Sequence, residues 1–190
     1  YVRETAFLNQ LNKLRDVFPS QSERFWSIIA AAPMTHLTSR DPPERPVVVL
    51  LVGQPGTDST TACMATHLGE LYTVALGGSE YSVAPVSVNG AYFSGHDGDE
   101  AKIKLDTQLM RGFENHSKAA IVHRFDRLPA CSVLLFHSYC ENDNAKYKDV
   151  AIVLTVELEE PADVTSFKDI DTHVAHHLTK QWSVCPDLQE

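Results

Sequence analysis

The sequence predicts an α/β protein with a mainly parallel sheet flanked by helices, and three features point there. Short, wholly apolar runs such as Val47 to Val52 suit strands covered on both faces. Segments with apolar residues at helical spacing lie between those runs. The first run ends in a Gly/Pro turn and passes directly into such a helical stripe, the strand–turn–helix step of a right-handed β-α-β crossover.

Taken in order, Phe7, Leu11, Leu14 and Phe18 recur at helical spacing until Pro19-Ser20 ends the run. A second helix is expected over Glu23 to Ala32, and the loop "TSRDPPERP" leads to the first strand, Val47 to Val52. Ala62, Ala65, Leu68 and Tyr72 mark the next helix, and "VAPVSVNG" reads as a second strand around Val86 to Val88, closed by Asn89-Gly90. A charged amphipathic helix follows from Asp99 to Glu114, with Leu105, Leu109 and Phe113 on one face. The runs "CSVLLFHSY" and "DVAIVLTVEL" supply the third and fourth strands, centred on Val133 to Phe136 and Ala151 to Val156. A last helix is expected from Asp169 to Trp182. In such a sheet, sites gather at the carboxyl ends of the strands.

The 190 residues suit one domain, 1–190, and the 43% hydrophobic and 22% charged content is that of an ordinary globular protein. A net charge of −9 with no basic stripe argues against a nucleic-acid backbone as partner, because such affinity comes from Lys and Arg neutralising phosphates. No apolar run is long enough to cross a bilayer. The chain opens at Tyr1 rather than Met, so a segment of a longer protein is expected.

The stretch "GQPGTDSTT", residues 53–61, sits where a phosphate-binding loop would. In the working pattern G-x-x-x-x-G-K-[ST], backbone N–H groups cradle phosphates, a Lys reaches the β and γ phosphates and a hydroxyl holds Mg²⁺. Gly53 opens the loop and Thr60 supplies the hydroxyl, but Asp58 replaces the second Gly and Ser59 replaces the Lys. A carboxylate about 5 Å from a phosphate charge costs on the order of 3 kcal/mol, and a comparable attraction leaves with the Lys. The plainer reading is a buried strand ending in a turn, with Asp58 capping the next helix. After the expected third strand the chain offers His137 and Ser138, neither the hard carboxylate that Mg²⁺ prefers. Loss of both the phosphate clamp and the metal clamp favours a degenerate loop and implies no bound cofactor. Thr155, on the fourth strand, is read as an ordinary strand residue.

Other constellations are weaker. His173, His176 and His177 share a helix face, but no further ligand stands near them in sequence, so a solvated face is favoured over a metal site. Asp143 and Asn144, in "CENDNAKYKD" after the expected third strand, are candidates for a partner-docking loop. Cys63, Cys131, Cys140 and Cys185 lack zinc-finger or C-x-x-C spacing. A straight strand would hold Cys131 and Cys140 roughly 30 Å apart, too far to bridge. Cys63 and Cys140, both expected near the carboxyl edge, are the candidate disulfide. Asn115-His116-Ser117 is an N-glycosylation sequon, with Asn115 at the polar end of its helix.

The segments "FPSQSERFW", "GFENHSKAA" and "VHRFDRLPACSVLLFHSYCENDNAKYKDVAIVLTVELEE" resemble the lumenal domains of the torsin-interacting proteins, the lamina-associated polypeptide family, in order from about Phe18 to about Trp182. The resemblance implies an AAA+-like fold with a degenerate P-loop, and residence in the lumen of the endoplasmic reticulum and nuclear envelope within a membrane-anchored parent protein. It also implies a non-catalytic regulator that binds no nucleotide, docks on a torsin ATPase and stimulates it with an arginine finger. In the family that finger belongs to a Trp-Ser-Arg element near the C-terminus, reached after a long helix, a loop and a further strand, whereas this chain carries Trp182-Ser183-Val184; either Val184 replaces the Arg or the sequence stops short of that element, and both readings remove the finger. Activation is therefore in doubt, with Arg124 and Arg127 the nearest substitutes by sequence. The alternatives are a divergent P-loop NTPase or kinase that uses Asp58 and Ser59 unconventionally, and an adaptor without a torsin partner.

Overall fold

A computed structural model describes residues 2–39, 41–77 and 83–185. Two helices, α1 (Val2–Val17) and α2 (Glu23–Thr38), precede β1 (Val47–Gly53) and α3 (Asp58–Gly77). Then come β2 (Val86–Asn89), a 3₁₀ turn (Gly90–Phe93), α4 (Gly98–Glu114) and β3 (Ala119–His123). Two further 3₁₀ segments (Phe125–Arg127 and Ala130–Phe136), a single-turn helix α5 (His137–Cys140), β4 (Ala151–Glu157) and α6 (Phe167–Trp182) complete it.

Among the described residues the strands form one four-stranded sheet in the order β1-β4-β3-β2, parallel at every pairing. Alternation along the strands divides the interior in two, as a period of two residues requires. Val47 and Leu51, Ala119 and Ile121, and Ala151 and Val153 face α1, α2 and α3. Ala120 and Val122, with Ile152, Leu154 and Val156, face α4, the 3₁₀ segments and Trp182 of α6. The helices begin where side chains replace missing backbone partners: Ser22 Oγ accepts the Phe25 amide at 3.2 Å, and Asp97 Oδ1 accepts those of Asp99 and Glu100 at 3.0 and 3.3 Å. No helix among the described residues is long and apolar enough to cross a membrane.

The third strand corrects the sequence reading. It is Ala119–His123, while Val133 to Phe136 lie in the 3₁₀ segment that follows Pro129. A short apolar run does not by its periodicity distinguish strand from buried helix, and the paired alanines of the true strand carry little strand preference. His137 and Ser138 therefore stand exposed on α5, where Ser138 Oγ donates to the Leu135 carbonyl at 2.7 Å, and do not occupy the metal position after a strand.

The cysteines follow suit. Cys131 pairs with Cys185, their Cα atoms 5.2 Å apart, and Cys63 and Cys140 are free. The expected Cys63–Cys140 bridge rested on the misplaced strand. The observed bond fastens the chain just after α6 to the 3₁₀ segment beneath it, and burial pushes the Cys140 thiol up to about 12.

Candidate functional site

The carboxyl rim of the sheet brings together the turn after β1, the residue after β3 and the last residue of β4. Gly53 ends β1 because a side chain there would strike the hydroxyls of Thr57 and Thr61, at 2.7 and 2.5 Å from its first carbon. Gly56 turns the loop with φ of +81°, a conformation glycine adopts without steric cost. Thr57 Oγ1 donates to the Gln54 carbonyl at 2.8 Å, and the Gln54 side chain makes two hydrogen bonds to the Ala162 backbone, at 2.9 and 3.0 Å. The loop is thus tied both to itself and to the connection that leaves β4.

Asp58 begins α3, so the strand–loop–helix context of a phosphate loop is present. Ser59 and Thr60 are exposed on the first turn. The Gly56 amide donates to Glu157 Oε1 at 2.7 Å, so a carboxylate from the end of β4 already faces the loop.

Between that carboxylate and β3 lies Arg124. Its backbone is left-handed, with φ and ψ both 50°, and its amide donates to Thr155 Oγ1 at 2.9 Å. The turn aims the guanidinium inward. Nε and Nη2 donate to the two Asp126 oxygens at 3.2 and 2.9 Å, Nη1 donates to Glu157 Oε2 at 3.1 Å, and Asp58 Oδ1 lies 3.8 Å from Nε. Hydrogen bonding to Asp126 raises the affinity of the already strongly basic guanidinium for its proton. The Asp126 side chain has no solvent exposure and is also met by His177 Nε2 at 3.4 Å and Arg127 Nε at 3.7 Å. One cation thus cross-links three carboxylates on separate elements, in a fork geometry that Arg supplies and Lys does not.

Asp58, singled out from the sequence, lies at this rim at the start of α3, whereas Asp126, Glu157 and the role of His177 were not read from the sequence. His123 ends β3 and Arg124 follows it, a basic pair where a metal-binding acid was sought. Burial lowers the pKa of His123, against a smaller opposing pull from Asp58. Among the histidines expected to share a solvated face, His177 is buried against Asp126, and His173 Nδ1 lies 2.9 Å from the Asp169 carbonyl. No group of His, Cys, Asp and Glu able to hold a metal occurs among the described residues.

Two other candidates stand away from this rim. Asp143 and Asn144 are exposed in the connection that enters β4, at the amino rim, so the assumed position at the functional edge does not hold. Asn115 is exposed at the end of α4, while Ser117 of the same sequon is buried, its hydroxyl donating to the Ala84 and Ala119 carbonyls at 3.0 Å each.

Comparison with known proteins fits this geometry. The lamina-associated polypeptide 1 AAA+ activator domain matches residues 2–185. Torsin-1A-interacting protein 1 of Homo sapiens is 34% identical over 174 residues, 90% of this chain and 29% of the relative. The Mus musculus protein of that name is 37% identical over 174 residues, covering 90% of this chain and 28% of its own length. The chain thus spans less than a third of these relatives. With a matching domain over nearly the whole chain and relatives at this identity, the chain belongs to the family of lamina-associated polypeptide 1 AAA+ activator domains.

Proposed function

We propose that this chain is a non-catalytic regulatory domain that docks on a torsin AAA+ ATPase and has no working nucleotide site of its own. The observation that carries the reading is the Glu157 carboxylate on the Gly56 amide, with Arg124 held between Glu157 and Asp126. A phosphate entering there would have to displace a charge-assisted hydrogen bond and approach Asp58 and Glu157 together. No Lys stands at position 59 to offset that repulsion. The names of the relatives supply the partner class.

Docking and stimulation separate in this reading. Binding energy resides in several anchors spread over an interface, whereas a finger acts through one Arg at the shared phosphate. Trp182-Ser183-Val184 offers no Arg, and Val184 is 82% exposed. Arg124 is committed to its carboxylates, and Arg127 is the more exposed of the two substitutes. The chain is expected to bind ATP-loaded torsin and to stimulate hydrolysis little. Affinity and steady-state ATPase rate, measured together with purified torsin, test this. Binding with a nearly unchanged rate is the expected result; strong stimulation would transfer the finger role to another Arg, Arg127 first, and no binding would refute the docking itself.

The proposed compartment is the lumen of the endoplasmic reticulum and nuclear envelope, within a membrane-anchored parent. The Cys131–Cys185 bond supports an oxidising compartment, and the exposed Asn115 is then a glycan acceptor. A mobility shift on endoglycosidase treatment of secretory-route protein checks this, and no shift counts against it.

A further inference from the structure

Asn115, the proposed glycan acceptor, belongs to a sequon whose third residue the fold has already used. α4 ends there in two interlocked hydrogen bonds: the His116 amide donates to the Phe113 carbonyl at 3.1 Å, and the Ser117 amide donates to the Gly112 carbonyl at 3.0 Å. His116 takes a left-handed φ of +68° between them, in the place where glycine most often closes such a cap. The Asn115 amide is engaged as well, with the Arg111 carbonyl at 3.0 Å. Ser117 is 2% exposed, and the single proton of its hydroxyl is shared between the Ala84 and Ala119 carbonyls. One residue later the chain enters the sheet: the Lys118 carbonyl accepts the Ala151 amide at 2.8 Å, and Ala119 stands beside Ala151 in the β3–β4 register. Because β3 lies between β4 and β2, freeing the Ser117 hydroxyl opens the interior of the sheet rather than an edge or a loop.

N-glycosylation draws on a lipid-pyrophosphate-linked oligosaccharide as donor. The Asn side-chain nitrogen forms a bond to the sugar C1, the bond from C1 to the pyrophosphate oxygen breaks, the lipid pyrophosphate departs and the nitrogen loses one proton. A transferase that accepts Asn only when Ser or Thr stands two residues on must reach that hydroxyl as well as the amide. The product makes no such demand. Asn115 caps α4 through its backbone and is exposed, so the folded domain has room for the glycan although it withholds the hydroxyl needed to attach it.

We infer that folding closes this acceptor: Asn115 receives a glycan only before Ser117 is buried, and a molecule that folds first stays unmodified. Occupancy is then set by a race between the transferase and the pairing of β3 with β4, unlike that of a sequon in an exposed loop. This order of events has its setting in the proposed lumenal compartment and rests on that reading, whereas its test uses purified components and no compartment.

The experiment supplies an oligosaccharyltransferase and its lipid-linked donor to three substrates: the folded, unglycosylated chain, a peptide covering residues 109–121, and the folded chain with Asn144→Thr. That substitution completes a second sequon from Asn142, in a turn where 142–144 are all exposed. Occupancy at each Asn is read by mass spectrometry. The peptide and Asn142 are expected to be modified, and Asn115 of the folded chain about a hundredfold or more slower than the peptide, as an opening of the sheet interior implies. Modification of Asn115 in the folded chain at a rate near that of the peptide overturns the proposal. Refusal of the peptide overturns it too, by placing the barrier in the local sequence, and refusal of Asn142 together with Asn115 does so by moving the barrier from the Ser117 hydroxyl to the domain as a whole. None of these results bears on the compartment, which the endoglycosidase shift tests separately.

Discussion

The two rims of one sheet are built in opposite ways. At the carboxyl rim, Arg124, with 18% of its side chain exposed, is wrapped by carboxylates from three elements, and Asp126 is fully buried. At the amino rim, Lys118 pairs with Asp149 at 2.6 Å in a single pair, with side chains 29% and 51% exposed. The same kind of ion pair serves different ends in the two places. Buried charges are costly to desolvate and costlier to leave unpaired, so the carboxyl rim locks its elements together, whereas water screens the amino rim.

Replacing Arg124 by Ala breaks this contrast most severely. It strands Asp126 and removes a partner from Glu157, and is expected to cost about 3–5 kcal/mol in urea unfolding, against less than about 1 kcal/mol for Lys118→Ala. Equal losses at the two rims would refute the distinction. Next in size is the disulfide, which closes a loop of sequence separation 54 and holds the end of α6, the helix that places His177 against Asp126. Cys131→Ser with Cys185→Ser is expected to cost about 2–4 kcal/mol, measured by the same unfolding. A loss of stability without added exposure of Asp126 would confine the bond's effect to the unfolded chain.

The smallest effect is a pH dependence. Burial lowers the pKa of His123 and of His36 below the ordinary 6.5, so the unfolded chain binds protons more readily than the folded one at mildly acid pH. Their contribution is present in full above about pH 6.5 and is lost as pH falls through the lowered folded values. Urea midpoints should fall between pH 7.5 and 5.5, and His123→Gln should flatten part of that slope. A slope unchanged by the substitution would remove His123 from the account.

The residues also show what was legible beforehand. Val47 to Val52 and Ala151 to Val156 are long apolar runs rich in β-branched residues, and both are strands. α4 and α6 follow their apolar spacing closely. Ala119–His123 escaped notice because its burial comes from its central place in the sheet, which no local pattern encodes. That one misplacement carried His137, Ser138, Asp143 and Cys140 to the wrong rim with it. The loop at Gly53 was readable, because a motif records the residues of a site in sequence. Its partners Glu157, Arg124 and Asp126 were not, since a carboxylate about a hundred residues away reaches the loop only through the pairing of β1 with β4.

In the proposed reading, the chain's own charges occupy the position that a phosphate would need. Titration calorimetry with MgATP addresses that directly, on the unaltered chain and on Glu157→Gln, which retains an acceptor for the Gly56 amide but loses the charge. No measurable heat of binding is expected for the unaltered chain up to millimolar nucleotide, and at most weak binding for the variant, since Asp58 remains and position 59 has no Lys. A micromolar dissociation constant for the unaltered chain would contradict the account and return the enzyme reading to first place.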